Sequence, residues 1–445
     1  MGIFHAYDVR GLWPSEITTE IAYRLGRVFA RLYPCDSILL GHDARLHSPE
    51  LYEALASGLT SEGVEVVGMG LCSTPQLHFF QIHEGFPAGI MVTASHNPKD
   101  YHGFKIFDAQ GGSISYQKGL ARIEAEMAKE LGPCQRLKAK KTETKKIEAY
   151  LDFLAQRASF RNFELPLVID LANGSAGEVF QGLAARLSLK VDFLNSKPDG
   201  NFPAHEPNPL KPESRIKTSE AVLHNQACLG VVLDGDGDRI IFVDDKGEAA
   251  ENYFVAALIA GQLLRERPQA AIVYDLISSK VLPEEIKAKG GLAVVSRVGY
   301  TFLYDKMVEY QAVFGAETSG HVYFKVTPNY YTESAAYALV VMLELLGQTE
   351  GPLSQLLAPL KSRYYQAPEL NIRLKAKAKA LQLVKDHYRD AEIAELDGVS
   401  VSYPDFWFNV RPSNTEPLLR VRLEASNKDI GEARLAELER LLKQL

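Results

Sequence analysis

One pattern recurs three times along this chain: an apolar run ends in aspartate, a loop of small residues follows, then a helix-forming stretch and a second apolar run. The first copy is Ser37-Ile-Leu-Leu-Gly-His-Asp43, followed by Leu51–Leu59 and Val64–Val67. The second is Pro166-Leu-Val-Ile-Asp170, followed by Asn173-Gly-Ser-Ala-Gly177, a helix near Glu178–Leu187, and Leu189–Leu194. The third is Ala271-Ile-Val-Tyr-Asp275, followed by Ser278-Ser279, a helix near Val281–Lys289, and Leu292–Ser296. Strands alternating with helices need crossover connections, which build mainly parallel sheets. Copies set much farther apart than the about 20–50 residues of a solenoid repeat imply three related α/β domains.

At roughly 100–200 residues per domain, 445 residues leave room for a fourth. The breaks fall at the lysine-rich stretch Arg136–Lys146, read as a solvated linker rather than a basic patch, near Asp244–Asn252 and near Gly351–Pro368. The expected domains are 1–145, 146–247, 248–358 and 359–445, the last a smaller α+β unit ending in an amphipathic helix at Ile430–Leu445.

Composition narrows the class of partner. Hydrophobic residues make up 46% and charged residues 24%, as in ordinary globular proteins, and the formal net charge is −7. No basic surface for nucleic acid is evident, so an acidic ligand would need a local cationic pocket. The four cysteines form no C-x-x-C unit, which argues against a zinc site or disulfide framework and fits a reducing compartment. The N-terminus lacks the apolar core of a signal peptide, and Tyr253–Leu264 and Ala335–Leu343 are too short to span a bilayer. A cytoplasmic protein without membrane partners is expected.

Four segments carry chemistry. Asp234-Gly-Asp-Gly-Asp-Arg239 lies between the strand-like runs Leu229–Leu233 and Ile240–Val243. Three carboxylates at alternate positions can converge on one hard cation such as Mg²⁺, Mn²⁺ or Ca²⁺. An EF-hand is excluded, because Arg239 and Asp245 stand where that loop needs Gly and Glu. The alternative is an acidic hairpin turn. Thr93-Ala-Ser-His-Asn-Pro98 follows the strand Gly89–Val92. Ser95 is placed there as a nucleophile, His96 for proton handling and Lys105 to offset phosphate charge; the competing reading makes Ser95 and Asn97 turn and cap residues. In Gly315-Ala-Glu-Thr-Ser-Gly-His321, Glu317, Ser319 and His321 suit sugar hydroxyls, or form a plain polar turn. Arg411-Pro-Ser-Asn-Thr-Glu416 offers a fork-shaped donor and short polar side chains, a phosphate cradle or a capped turn. No Walker loop is present, which disfavours nucleotide hydrolysis.

These four segments in this order, with the opening Ala6-Tyr7-Asp8-Val9-Arg10-Gly11, resemble the α-D-phosphohexomutase family, phosphomannomutase/phosphoglucomutase branch, over essentially the whole chain. The resemblance implies a heart-shaped arrangement of three similar mixed/parallel-sheet α/β domains plus a smaller C-terminal α+β domain. It implies interconversion of hexose 1- and 6-phosphates through phospho-Ser95 and a hexose 1,6-bisphosphate. One Mg²⁺ per chain would be held by Asp234, Asp236, Asp238 and Ser95. Arg10, His96, Lys105 and Arg239 would surround the transferring phosphoryl group, with Tyr7 lining the same region. Glu317, Ser319 and His321 would contact the sugar; Arg411, Ser413, Asn414 and Thr415 would grip the other phosphate. Small sugar phosphates are the expected partners, to a monomer or small homo-oligomer.

The chain also departs from the family pattern. His42 stands where many relatives have Arg, Ile277 where a basic residue is usual, Tyr300 where His is common and Tyr304 where Lys is common. Phosphoglucosamine or phosphopentose mutase activity is therefore an alternative, although Asn414 argues against the former. From a different class comes an inert sugar-phosphate-binding protein, against which the intact Ser95 and three aspartates count.

Overall fold

The computed structural model describes residues 2–134, 139–160, 163–328, 330–349, 351–374, 376–412 and 418–444. Each expected repeat becomes a small sheet with one centre strand. Ser37–His42, Leu167–Asp170 and Ala271–Asp275 each lie between two parallel neighbours. Beyond one neighbour, each sheet continues with an antiparallel strand: Tyr101–Phe107, Ile240–Val243 or Val322–Thr327. The sheets are thus mixed, each with a parallel centre and an antiparallel margin. The reason is local: a short loop returns the chain directly beside the strand it has just left, and only antiparallel pairing allows that.

The centre strands are buried on both faces, which explains their unbroken apolar runs. Helices cover those faces. Thr19–Leu32 and Ser48–Ser61 pack together on the first sheet, around Leu25, Leu55, Val66 and Ile90. Asn252–Glu266 and Ala335–Gln348 are apolar nearly all round and lie in a core that runs on from the second domain into the third. Among the described residues, no helix is long and apolar enough to cross a membrane.

Part of the lysine-rich stretch is strand rather than linker, and residues 136–138 lie outside the described residues. Lys141–Glu143 adds a parallel edge strand beside Glu65–Leu71, with Val66 opposite Lys141. Its charged side chains suit an edge that must not recruit further strands. The last domain carries an antiparallel sheet in which Phe406–Pro412 and Leu419–Ala425 pair at the centre, covered by Lys377–His387 and Lys428–Leu442. The four-part α/β, α/β, α/β, α+β architecture is as expected from the sequence.

Candidate active site

Each chemistry-bearing loop of the first three domains occupies the same topological position, the connection from a parallel neighbour of the centre strand to the antiparallel strand. Thr93–Asp100 sits there in the first domain, Asp234–Arg239 in the second and Glu317–His321 in the third. All three leave the carboxyl ends of parallel strands, where open α/β sheets place ligands. They also touch. Ser95 Oγ donates to Asp234 Oδ2 at 2.8 Å, and Arg239 Nε donates to His321 Nε2 at 2.7 Å. Arg239 and His321 form an antiparallel bridge between two domains.

The metal loop is shaped by its own first carboxylate. Asp234 Oδ1 accepts the backbone N–H groups of Gly237, Asp238 and Arg239 at 3.0–3.2 Å. Gly237 holds φ +75°, and Gly235 is so close to Ser95 that a Cβ there would lie 2.9 Å from its carbonyl oxygen. Asp234, Asp236 and Asp238 are wholly buried, with carboxylate oxygens within 4.8 Å of one another. Lys105 Nζ reaches Asp236 Oδ2 at 2.8 Å and also bonds Asp238. Burial and the Asp238 and Asp236 charges push the Asp234 carboxyl well up. Burial would raise Asp238 too, but Lys105, His321 and Arg239 outweigh it and hold that carboxyl below its usual range. Asp236 Oδ1 and Asp238 Oδ1 are buried without a hydrogen-bond partner among the described residues. Two orphaned carboxylate oxygens beside the Ser95 hydroxyl are what a hard divalent cation would satisfy, so the donor set fits Mg²⁺.

Ser95 is buried and takes φ +49°, a conformation that costs a non-glycine residue about 1–3 kcal/mol. His96 Nδ1 lies 3.3 Å from Ser95 Oγ. Burial, then the Arg239, Arg10, His321 and Lys105 charges, push the His96 ring well below its ordinary value, which leaves it neutral. Arg10 donates to Asn97 and pairs with Asp8, while its Nε is buried without a partner among the described residues.

On the opposite side, Glu317 Oε1 accepts Gly299 N–H at 3.0 Å and Oε2 accepts the Tyr323 hydroxyl at 3.3 Å. Burial pushes its carboxyl up to about 7. Ser319 is half-buried on the same turn. His321 Nδ1 faces Glu333 and its Nε2 lies 2.7 Å from Arg239 Nε; burial alone would lower the ring's pKa, but the Asp238 and Glu333 charges outweigh it and raise it above its ordinary value. Asp238, His321 and Glu333 form a second group of potential ligands, but both ring nitrogens are already engaged. Tyr7 OH donates to Val298 O at 3.1 Å. Arg411 is buried near the end of Phe406–Pro412, close enough to Tyr7 and Asp275 to influence both. Ser413, Asn414 and Thr415 lie outside the described residues.

The departures from the family pattern have defined surroundings. The Tyr300 hydroxyl donates to Tyr7 O at 2.9 Å and lies 2.6 Å from Ser113 Oγ, and Tyr304 OH donates to Gln110 O at 3.2 Å. Both fasten the third domain to the first. Ile277 is buried, and His42 Nδ1 contacts Asp43 O at 2.8 Å. Several residues at the site escaped sequence reading. Thr74 donates through N–H and hydroxyl to Asp236 at 3.0 and 2.6 Å. Glu333 orients His321, and Asn252 Nδ2 donates to Thr318 O at 2.9 Å. Arg45 surrounds itself with the carbonyls of the Ser95 loop; the Asp-x-Arg spacing after a strand was its one available signal.

Comparison with known proteins covers the whole chain. Residues 1–132, 148–247 and 251–364 match phosphoglucomutase/phosphomannomutase alpha/beta/alpha domains I, II and III, and residues 369–441 match the C-terminal domain of the same proteins. A phosphomannomutase of Methanocaldococcus jannaschii is 36% identical, over 100% of this chain and 98% of the relative. A phosphomannomutase of Escherichia coli strain K12 is 35% identical over 99% of both. A crystal structure of a phosphoglucomutase/phosphomannomutase family protein from Burkholderia thailandensis superposes with a TM-score of 0.89 at 29% identity, covering 99% of this chain and 97% of that one.

Proposed function

This chain belongs to the phosphoglucomutase/phosphomannomutase family, and from that premise we propose that it interconverts the 1- and 6-phosphates of mannose, glucose or both through a phosphorylated Ser95. As a member of that family it is an intramolecular phosphotransferase acting on hexose phosphates. The observation that carries the phosphoserine reading is the Ser95 hydroxyl, buried and 2.8 Å from one of three converging carboxylates.

In the first half-reaction, the free hydroxyl oxygen of a hexose monophosphate attacks the phosphorus of phospho-Ser95. The sugar O–P bond forms as the Ser95 Oγ–P bond breaks. The sugar hydroxyl gives its proton to a base, and a proton returns to Ser95 Oγ. The hexose 1,6-bisphosphate then turns end for end. Ser95 Oγ attacks the phosphorus of the other phosphate: the Oγ–P bond forms as that sugar O–P bond breaks, the Oγ proton passes to the neutral His96 Nδ1 at 3.3 Å, and the freed sugar oxygen takes up a proton. Phosphoryl transfer relies on positioning and charge stabilisation, and Arg10, Lys105 and Arg239 are the cations at hand. Asp234, Asp236, Asp238 and Ser95 would hold one Mg²⁺, which when bound supplies Lewis-acid charge compensation for the phosphoryl oxygens. Glu317, Ser319 and His321 would read the hydroxyls, and Tyr7 with Arg411, Ser413, Asn414 and Thr415 would hold the phosphate not being transferred.

The test is a panel of mannose, glucose, glucosamine and pentose phosphates, ranked by kcat/KM after priming with hexose 1,6-bisphosphate in Mg²⁺. Turnover of mannose or glucose phosphates at the top of the ranking is expected. Failure with both would overturn the assignment.

A further inference from the structure

The reactive serine is held by both ends of its backbone, and both holds lead back to the aspartate that closes the first repeat. Ser95 N–H donates to Thr93 Oγ1 at 2.9 Å, and the Thr93 hydroxyl donates to Asp43 Oδ2 at 2.8 Å. On the other side, Arg45 NH2 donates to Ser95 O at 2.7 Å, while Arg45 Nε donates to Asp43 Oδ2 at 3.1 Å. The remaining guanidinium hydrogens reach Asn97 O and Pro98 O at 2.7 Å and Tyr101 O at 3.0 Å. A guanidinium has five N–H donors in a fixed fork, so every donor of Arg45 is spent, three of them on carbonyls of the Ser95 loop and one on the first residue of the strand that follows it. Asp43 is equally committed, accepting also from Ser48 Oγ at 2.6 Å and Arg45 N at 3.1 Å. The Arg45 side chain has 0% and that of Asp43 1% of its surface exposed. The Phe202 ring of the second domain lies 5.2 Å from the guanidinium and closes it off. No group of the transferring phosphate can reach such an arginine, so its role is geometric.

We propose that Asp43, Thr93 and Arg45 are positioning residues for phosphoryl transfer, which hold Ser95 in its left-handed backbone conformation so that Oγ is aimed at the Asp234 carboxylate. The proposal rests on the phosphoserine reading above. A serine at φ +49° is strained, and a loop released from either end relaxes towards φ below zero, carrying Oγ away from Asp234. A displacement of about 1 Å at a reacting atom can cost about 10²-fold in rate.

The test compares wild type, Arg45→Lys and the near-isosteric Thr93→Val, with Arg45→Met as a third variant if it folds. Rapid-quench transfer from phospho-Ser95 to hexose 6-phosphate gives two readouts, the amplitude of competent sites and the rate at each. Expected are a fall in rate of about 10²-fold for Arg45→Lys and about tenfold for Thr93→Val, with amplitude and the KM for hexose 6-phosphate within twofold of wild type. A merely structural role would instead lower amplitude and leave the rate per competent site unchanged; that result, or wild-type rates in both variants, overturns the proposal. Absence of phosphate from Ser95 in the wild type would overturn the functional reading first, and this one with it.

Discussion

Ser95, Asp234, Asp236 and Asp238, at one end of the cleft, are at most 1% exposed, whereas at the other end Glu317 and His321 are 5% exposed and Thr318 and Ser319 only half-buried. The first end is fixed by charge. Lys105 bridges two carboxylates, Asp234 ties three backbone N–H groups, and Ser95 is held from both sides. The second end is held by fewer ties to its sugar-reading carboxyl: Glu317 accepts from Gly299 N–H and the Tyr323 hydroxyl, and burial pushes it up to about 7. The proposed mechanism, in which either end of one sugar meets the same phosphoryl group, calls for this division. The transferring end never changes its task and can be rigid; the recognising end must take two orientations and gains from adaptable donors and acceptors.

Substitutions should separate the two ends. The largest effect is expected at the transferring end, where Ser95→Ala should remove turnover by about 10⁴-fold or more, measured as kcat with primed substrate. Next, Asp236→Asn should lower kcat by about 10²–10³-fold and raise the Mg²⁺ concentration for half-maximal activity, read from a metal titration after chelation. At the recognising end, Glu317→Gln should leave kcat within a few-fold and raise KM about tenfold, the loss of one charge-assisted hydrogen bond. Its pH dependence has a definite sign. The ionised carboxylate is the better acceptor for sugar hydroxyls, so wild-type KM should fall as pH rises through about 7, and Glu317→Gln should flatten that profile. The smallest effect belongs to the contact between the first and third domains. Tyr300→Phe removes the hydroxyl shared by Ser113 and Tyr7 and should cost about 1 kcal/mol in denaturant unfolding. A large change in KM for Asp236→Asn, or in kcat for Glu317→Gln, would break the division.

Much of this was legible in the chain because it is local. Apolar runs ending in Asp43, Asp170 and Asp275 predicted three centre strands, and those strands are found. Asp234, Asp236 and Asp238 converge because their spacing and glycines force it, and a loop of six residues carries its own geometry. What could not be read depends on pairing across long separations. Arg45 spends its fork on carbonyls about fifty positions away, Glu333 meets His321 across a hairpin, and Thr74 meets Asp236 from another domain. None of these leaves a periodic or compositional trace. Tyr300 and Tyr304 were visible as departures, but their use as fasteners to Ser113, Tyr7 and Gln110 follows only from the packing of two domains.

The repeat also explains a likeness between domains that the motifs alone hide. Asp275 Oδ2 accepts both the N–H and the hydroxyl of Thr318, at 2.7 and 2.9 Å, as Asp43 supports the Ser95 loop through Thr93 and Arg45. Asp170 caps Ala172 N–H at 2.9 Å in the turn from which Ser175 N–H reaches Gly235 O at 3.0 Å. The aspartate at or just past the end of the centre strand thus steadies the loop beside it in all three domains, by direct contact in the first and third and through its own turn in the second.

The central claim is that Ser95 carries the phosphoryl group. Intact-mass and peptide analysis of the enzyme after hexose 1,6-bisphosphate and Mg²⁺ tests it most directly. One phosphate on Ser95, lost in step with bisphosphate formation when a hexose monophosphate is added, is the predicted result. An unmodified Ser95 in a turning-over enzyme, or full turnover by Ser95→Ala, would contradict it.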